Sequence, residues 1–113
     1  MTEELTVVSR REGDAVVFDL VGDLTKKAEM AVIEAYQRAT VQGARRLLFN
    51  FRAVKYINSS GIAILIAVIA EARKRDQEVG GFGLSAHYTR IFEMTGLPQY
   101  MRLYEDEGRA VLG

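Results

Sequence analysis

The chain has 113 residues, with 15 lysines and arginines against 15 aspartates and glutamates, one histidine and no cysteine. That length fits one domain, residues 1–113, and zero net charge removes the basic footprint of a nucleic-acid binder or of a membrane-surface protein. The absence of thiols excludes disulfides and thiolate metal sites, and His87 alone leaves little with which to build a zinc centre.

The amino-terminal stretch lacks the basic start and long apolar core of a signal peptide. The longest apolar run, Ile62 to Ala70, falls well short of the ~20 residues a helix needs to cross a bilayer. The expectation is a soluble cytoplasmic protein that uses no cofactor and binds neither nucleic acid nor membrane.

Leu5 to Val8 and Ala15 to Val21 read as short β-branched runs around the turn chemistry of Arg11-Glu12-Gly13-Asp14, which predicts a hairpin. Thr25 can cap the helix that follows. Ala28, Val32, Ala35, Tyr36 and Ala39 recur at three- and four-residue steps, so this helix is amphipathic and ends near Gly43. Arg45 to Phe51 is a short apolar strand, and Val54 to Ile57 leads into Asn58-Ser59-Ser60-Gly61. From about Ser60 to about Gln77 a helix is expected, because the apolar run continues into good helix formers with no turn residue. Within it Ala63, Ala67 and Ala70 form a small-residue side suited to a sheet, and Ile62, Ile66 and Ile69 a bulky stripe elsewhere.

Glu78 to Ser85 reads as a strand in which Gly80, Gly81 and Gly83 mark a bulge or a close backbone approach. His87 to Met94 is a short helix stopped by Gly96 and Pro98, Tyr100 to Tyr104 a last strand, and Glu105 to Leu112 a terminal helix. The order β-β-α-β-α-β-α-β-α implies a mixed β-sheet carrying helices in an α/β fold.

Candidate chemistry is sparse. Ile57-Asn58-Ser59-Ser60-Gly61 lacks the first glycine of the hydrolase nucleophile elbow. A Ser–His pair with His87 is the distant enzymatic alternative. Gly80-Gly81-Phe82-Gly83 lacks the third glycine of a dinucleotide fingerprint and the Walker ending. Glu105, Asp106 and Glu107 read as charges complementing a helix start. Asn58 to Gly61 is at least a helix cap, but hydroxyls beside so much apolar surface exceed what a cap requires and point to a docking face as well.

The stretch YINSSGIAILIAVIAEARKRD resembles the signature of the STAS domain family, in which Asp-Ser-Ser-Gly or Asp-Ser-Thr-Gly precedes a long apolar helix. VFDLVGDLTKKAEM resembles that family's second strand and its Gly-Glu-Leu-Asp turn, RRLLFNFRAVKYINSSG its strand, loop and phosphorylation motif, and IFEMTGLPQYMRLYEDEGRAV its last third. The likeness runs in order along nearly the whole chain. It implies a STAS-like sandwich and a stand-alone bacterial anti-sigma factor antagonist acting by partner switching, not an enzyme. It further implies phosphorylation at Ser59, with Ser60 as second choice, by an anti-sigma factor serine kinase and reversal by a PP2C-type phosphatase. The dephosphorylated form would bind the kinase and free a sigma factor. Asp23, Leu24 and Thr25 would neighbour the motif, with Asn58, Ser60, Gly61, Ile62 and Leu65 adding partner contacts; the resemblance also leaves a homodimer open.

Two positions depart from the family pattern. Asn58 stands in place of the Asp before the serine and Thr25 in place of the Asp of the turn, so both lose a carboxylate. This eases accommodation of a phosphate and removes groups that would orient the serine or pair with a kinase cation. A non-phosphorylated STAS scaffold in a signalling or transport complex and a small anionic-ligand sensor are the alternatives.

Overall fold

The computed structural model describes residues 3–113. β1 (Thr6–Glu12) and β2 (Ala15–Leu24) form the expected hairpin, paired antiparallel from Thr6↔Val21 to Glu12↔Ala15. Gly13 at the turn has φ 63°, a left-handed conformation that costs glycine little. A 3₁₀ turn (Lys26–Ala28) leads into α1 (Glu29–Val41). β3 (Arg46–Ile57), α2 (Ser59–Lys74), β4 (Glu78–Phe82) and α3 (Ala86–Thr95) follow. A second 3₁₀ turn (Leu97–Gln99), β5 (Arg102–Tyr104) and α4 (Glu107–Leu112) complete the chain.

The five strands lie in the order β1-β2-β3-β4-β5, and every pair after the hairpin is parallel. Three successive crossovers move the same way across the sheet and put their helices on one face, as the right-handed rule for such units leads one to expect. There Val16, Phe18 and Leu20 of β2 and Leu47, Phe49 and Phe51 of β3 meet α1, α2 and Phe92 of α3 in the main core. Phe18, Phe49, Phe51 and Phe92 run through it in sequence, with ring centres 5.3, 6.1 and 5.9 Å apart. The alternate residues Ala15, Val17, Leu48 and Phe82 face the other way, where Ala110 of α4 covers them as a smaller second core. The element order and the mixed sheet agree with the sequence reading.

Several details differ from it. What read as a strand ending at Phe51 with a separate lead-in is one strand to Ile57, whose pairing with β2 shifts register between Asp19 and Val21 and between Gly22 and Asp23. Thr25 makes no side-chain capping bond; it is 7 % exposed and the turn after it is 3₁₀. β4 stops at Phe82 because Gly83 turns left-handed (φ 85°), where a Cβ would lie 2.9 Å from the Arg52 nitrogen. β5 begins at Arg102, since Leu97 to Gln99 takes a 3₁₀ turn first.

The face of α2 is also corrected. Ala63, Ala67 and Ala70 are exposed, while Ile64, Leu65, Val68, Ile69 and Ala72 are buried. A run that is apolar on every side carries no phase of its own, so tertiary contact decides which residues go inward. Glu107, finally, is more than a helix-start charge: Arg10 clasps both its oxygens at 2.7 and 2.6 Å and also reaches Asp19 at 2.6 Å. That arginine holds the Asp19 and Glu107 carboxyls below their ordinary range, chiefly through those hydrogen bonds.

Candidate functional site

The carboxyl ends of β2 and β3 lie side by side, with Asp23 opposite Tyr56 and Leu24 opposite Ile57. Asn58 leaves β3 in extended conformation (φ −108°, ψ −177°), and its N–H donates to the Leu24 carbonyl at 3.3 Å. Its side-chain oxygen accepts from Gly61 N–H at 3.0 Å and its carbonyl from Ile62 N–H at 3.0 Å, so Asn58 is the N-cap of α2. Asparagine and aspartate cap about equally well, which explains how the motif keeps its geometry while losing a charge.

Ser59 and Ser60 are then the first two helical residues, whose N–H groups have no acceptor within the helix. Ser59 is exposed and Ser60 half-buried. Gly61 is required by close approach: a Cβ there would overlap the Leu24 carbonyl oxygen. That contact locks the start of α2 onto the end of β2 and sets the rotation of the helix about its axis. Tyr88 of α3 adds a brace from the other side, its hydroxyl accepting from Ile57 N–H at 3.0 Å; nothing in the sequence marked this residue.

The expected partner-contact residues are therefore brought together, but they do not all reach the surface. Asp23 is half-buried, and its carboxylate accepts from Glu3 N–H at 2.8 Å. Leu24 and Leu65 are fully buried, Gly61 is buried and Thr25 nearly so. The expectation that Leu65 offers a contact beside Ser59 is thus corrected, because the phase imposed at Gly61 turns Leu65 into the core; Leu24, Thr25 and Gly61 support the face from beneath. What faces outward is Ser59, half-buried Ile62, Ala63, Ile66 (50 % exposed), Ala67 and Ala70. These recur at three- and four-residue steps, so one apolar stripe runs down α2 with the Ser59 hydroxyl at its head.

His87 is exposed on α3 and stacks edge-on against Tyr88, with ring centres 5.0 Å apart. Among the described residues it makes no hydrogen bond to either serine, so the Ser–His arrangement is not formed. No cluster of three or more metal-ligating side chains occurs among the described residues, and none of their helices is long and apolar enough to cross a membrane.

An α/β sheet of this order, with a capped helix opening on two serines at the carboxyl end of the central strand, defines a STAS-type domain. The chain belongs to that family: the family described as "Mlab, STAS domain" matches residues 7–104. Among individual relatives, the anti-sigma-B factor antagonist of Listeria monocytogenes is 27% identical over 101 residues, 89% of each chain. That of Staphylococcus aureus is 30% identical over 63 residues, 56% of this chain and 58% of its own. Among solved structures, an anti-sigma factor antagonist from Mycobacterium paratuberculosis superposes with a TM-score of 0.82 at 20% identity, covering 96% of this chain and 92% of the other. The phosphorylated form of the Bacillus cell fate determinant SpoIIAA gives 0.70 at 21% identity, covering 92% and 96%.

Proposed function

We propose that this chain is an anti-sigma factor antagonist that works by partner switching, with Ser59 as the phosphate acceptor and the outer stripe of α2 as the docking face. The observation that carries the reading is the exposed Ser59 hydroxyl at the head of that stripe. The dephosphorylated chain binds an anti-sigma factor serine kinase and frees its sigma factor; the kinase phosphorylates Ser59, and a PP2C-type phosphatase restores the binding form. Ser60, half-buried behind it, is the less accessible acceptor. The names of the Listeria and Staphylococcus relatives support the assignment to this class of regulator, rather than to an enzyme.

The physics of the switch follows from where the charge lands. Phosphoserine carries ~1.5 to 2 negative charges, and a helix N-terminus favours an exposed anion by ~0.3–1 kcal/mol, so phosphorylation leaves the fold intact. Buried under a partner, an uncompensated charge costs ~3–5 kcal/mol, where each ~1.4 kcal/mol is tenfold in affinity. Release is therefore an interface effect.

Asn58 supports a second reading, a STAS scaffold that docks through the same stripe without phosphate, because the carboxylate next to the serine is absent. Incubation with ATP and the anti-sigma factor kinase of the same host, followed by mass spectrometry of the Ser59 peptide, separates the two. Label on Ser59 that disappears in Ser59→Ala establishes the switch; an unlabelled chain that still binds the kinase establishes the scaffold.

A further inference from the structure

At the opposite end of the sheet from Ser59, β5 is too short to cover all of β4. It pairs with Gly80, Gly81 and Phe82 and leaves Glu78 and Val79 without a neighbour on that side. The gap is an open cavity of ≈ 590 Å³, walled by Arg73 at the end of α2, Tyr100, and Arg102 of β5. Its volume falls within the range of small-molecule sites.

The charges around it are unequal. Arg46 is taken up by the Ala110 and Val111 carbonyls at 2.6 and 2.9 Å and by Asp14 and Glu78 at 3.3 and 3.4 Å. Glu78, the acidic residue of the lining, is paired with that same Arg46 and sits on the open rim with its side chain 78 % exposed. Arg73 and Arg102 have no carboxylate within 4.0 Å among the described residues. Other arginines share that lack, but these two line one cavity and each is held by a ring. The Arg73 guanidinium lies 4.8 Å from the centre of Tyr100, and that of Arg102 5.0 Å from the centre of Tyr104. Stacking restrains a guanidinium while leaving its N–H edge free, which lowers the entropy lost when it grips an anion. Gly80 belongs to the same construction: a Cβ there would sit 3.0 Å from both Leu48 Cδ2 and Tyr104 Cε2, so its absence lets the Tyr104 ring lie against the strand. The glycines that no sequence motif accounted for thus include one that shapes the cavity floor.

We infer that this cleft is a binding site for a small dianion of the phosphate class, gripped by Arg73 and Arg102 and separate from the Ser59 face. Arginines already paired with carboxylates would offer such a ligand little; Arg73 and Arg102, held by rings and without carboxylate partners among the described residues, offer it free N–H donors. The ¹⁵N spectrum of the whole chain at about pH 7.5, titrated with inorganic phosphate against sodium chloride of equal ionic strength, is the test. Saturable shifts at Arg73, Tyr100 and Arg102, weakened about tenfold in R73Q and again in R102Q, are expected. Both arginines are exposed, so the variants keep the fold, and an otherwise unchanged spectrum confirms it. Shifts reproduced by chloride, binding indifferent to both substitutions, or saturable shifts centred on Ser59 and Ser60 overturn the proposal.

Discussion

At residue scale, two positions carry the geometry of the helix start for different reasons. Asn58 supplies one acceptor to one orphan N–H, so Asn58→Ala removes a cap and lowers stability by ~1 kcal/mol, whereas Asn58→Asp keeps the bond and adds a favourable charge at the helix N-terminus. Urea unfolding should show a reduced midpoint for the alanine variant and an equal or higher one for aspartate. Gly61 is held by space instead: any Cβ meets the backbone of Leu24, which cannot swing away as a side chain would. Gly61→Ala is expected to lose ~1–3 kcal/mol in the same measurement even though alanine is the better helix former, because overpacking against backbone outweighs propensity. A neutral result there would mean that α2 is not seated on β2 as described.

At the scale of elements, α4 is tied to the hairpin by the bidentate Arg10–Glu107 pair, with Arg10 itself held across the hairpin by Asp19, on the sheet face away from the main core. Both carboxyls titrate below their ordinary values of 3.8 and 4.5. The unfolded chain therefore takes up protons first on acidification, and the stability these groups contribute is complete above about 4.5 and lost as pH falls through their folded values. Glu107→Gln should lower the urea midpoint at neutral pH by an amount equivalent to ~1 kcal/mol, since the groups are partly exposed, and should flatten the loss below about pH 4.5. An acid limb as steep as that of the wild type would show that the pair is not the acid-sensitive contact. How far such elements were legible in the sequence depended on contrast. The buried face of α1 was readable because Val32, Ala35, Tyr36 and Ala39, with Ala28 in the 3₁₀ turn before it, stand out against charged neighbours, and all five are buried; its start was not, because Thr25 opens a 3₁₀ turn instead of capping the helix. α2 was readable as a helix but not in its rotation, since Ile62 to Ala70 offers no polar position to mark the outside. The Arg10–Glu107 tie, between residues 97 apart, and the Tyr88 brace had no local signal at all.

At the scale of the whole molecule, the fold separates what must stay constant from what must change. Leu24, Gly61 and Leu65 are sealed beneath the Ser59 face, while Ser59, Ile66 and Ala70 lie on it. Substitutions one position apart on α2 should therefore fail in different ways. Leu65→Asp puts a charge where there is no exposed surface and should abolish cooperative unfolding outright. Ile66→Asp, at a half-exposed position, should leave the melting temperature within a few degrees of wild type and yet, under the proposed switch, reduce kinase binding in calorimetry by tenfold or more, because it places on the stripe the kind of unpaired charge that phosphorylation of Ser59 would place at its head. Ser59→Asp should weaken binding in the same direction, and its effect should add nearly independently to that of Ile66→Asp, which lies two turns or about 10 Å further along α2. Kinase binding unchanged by Ile66→Asp would move the docking face off α2 altogether.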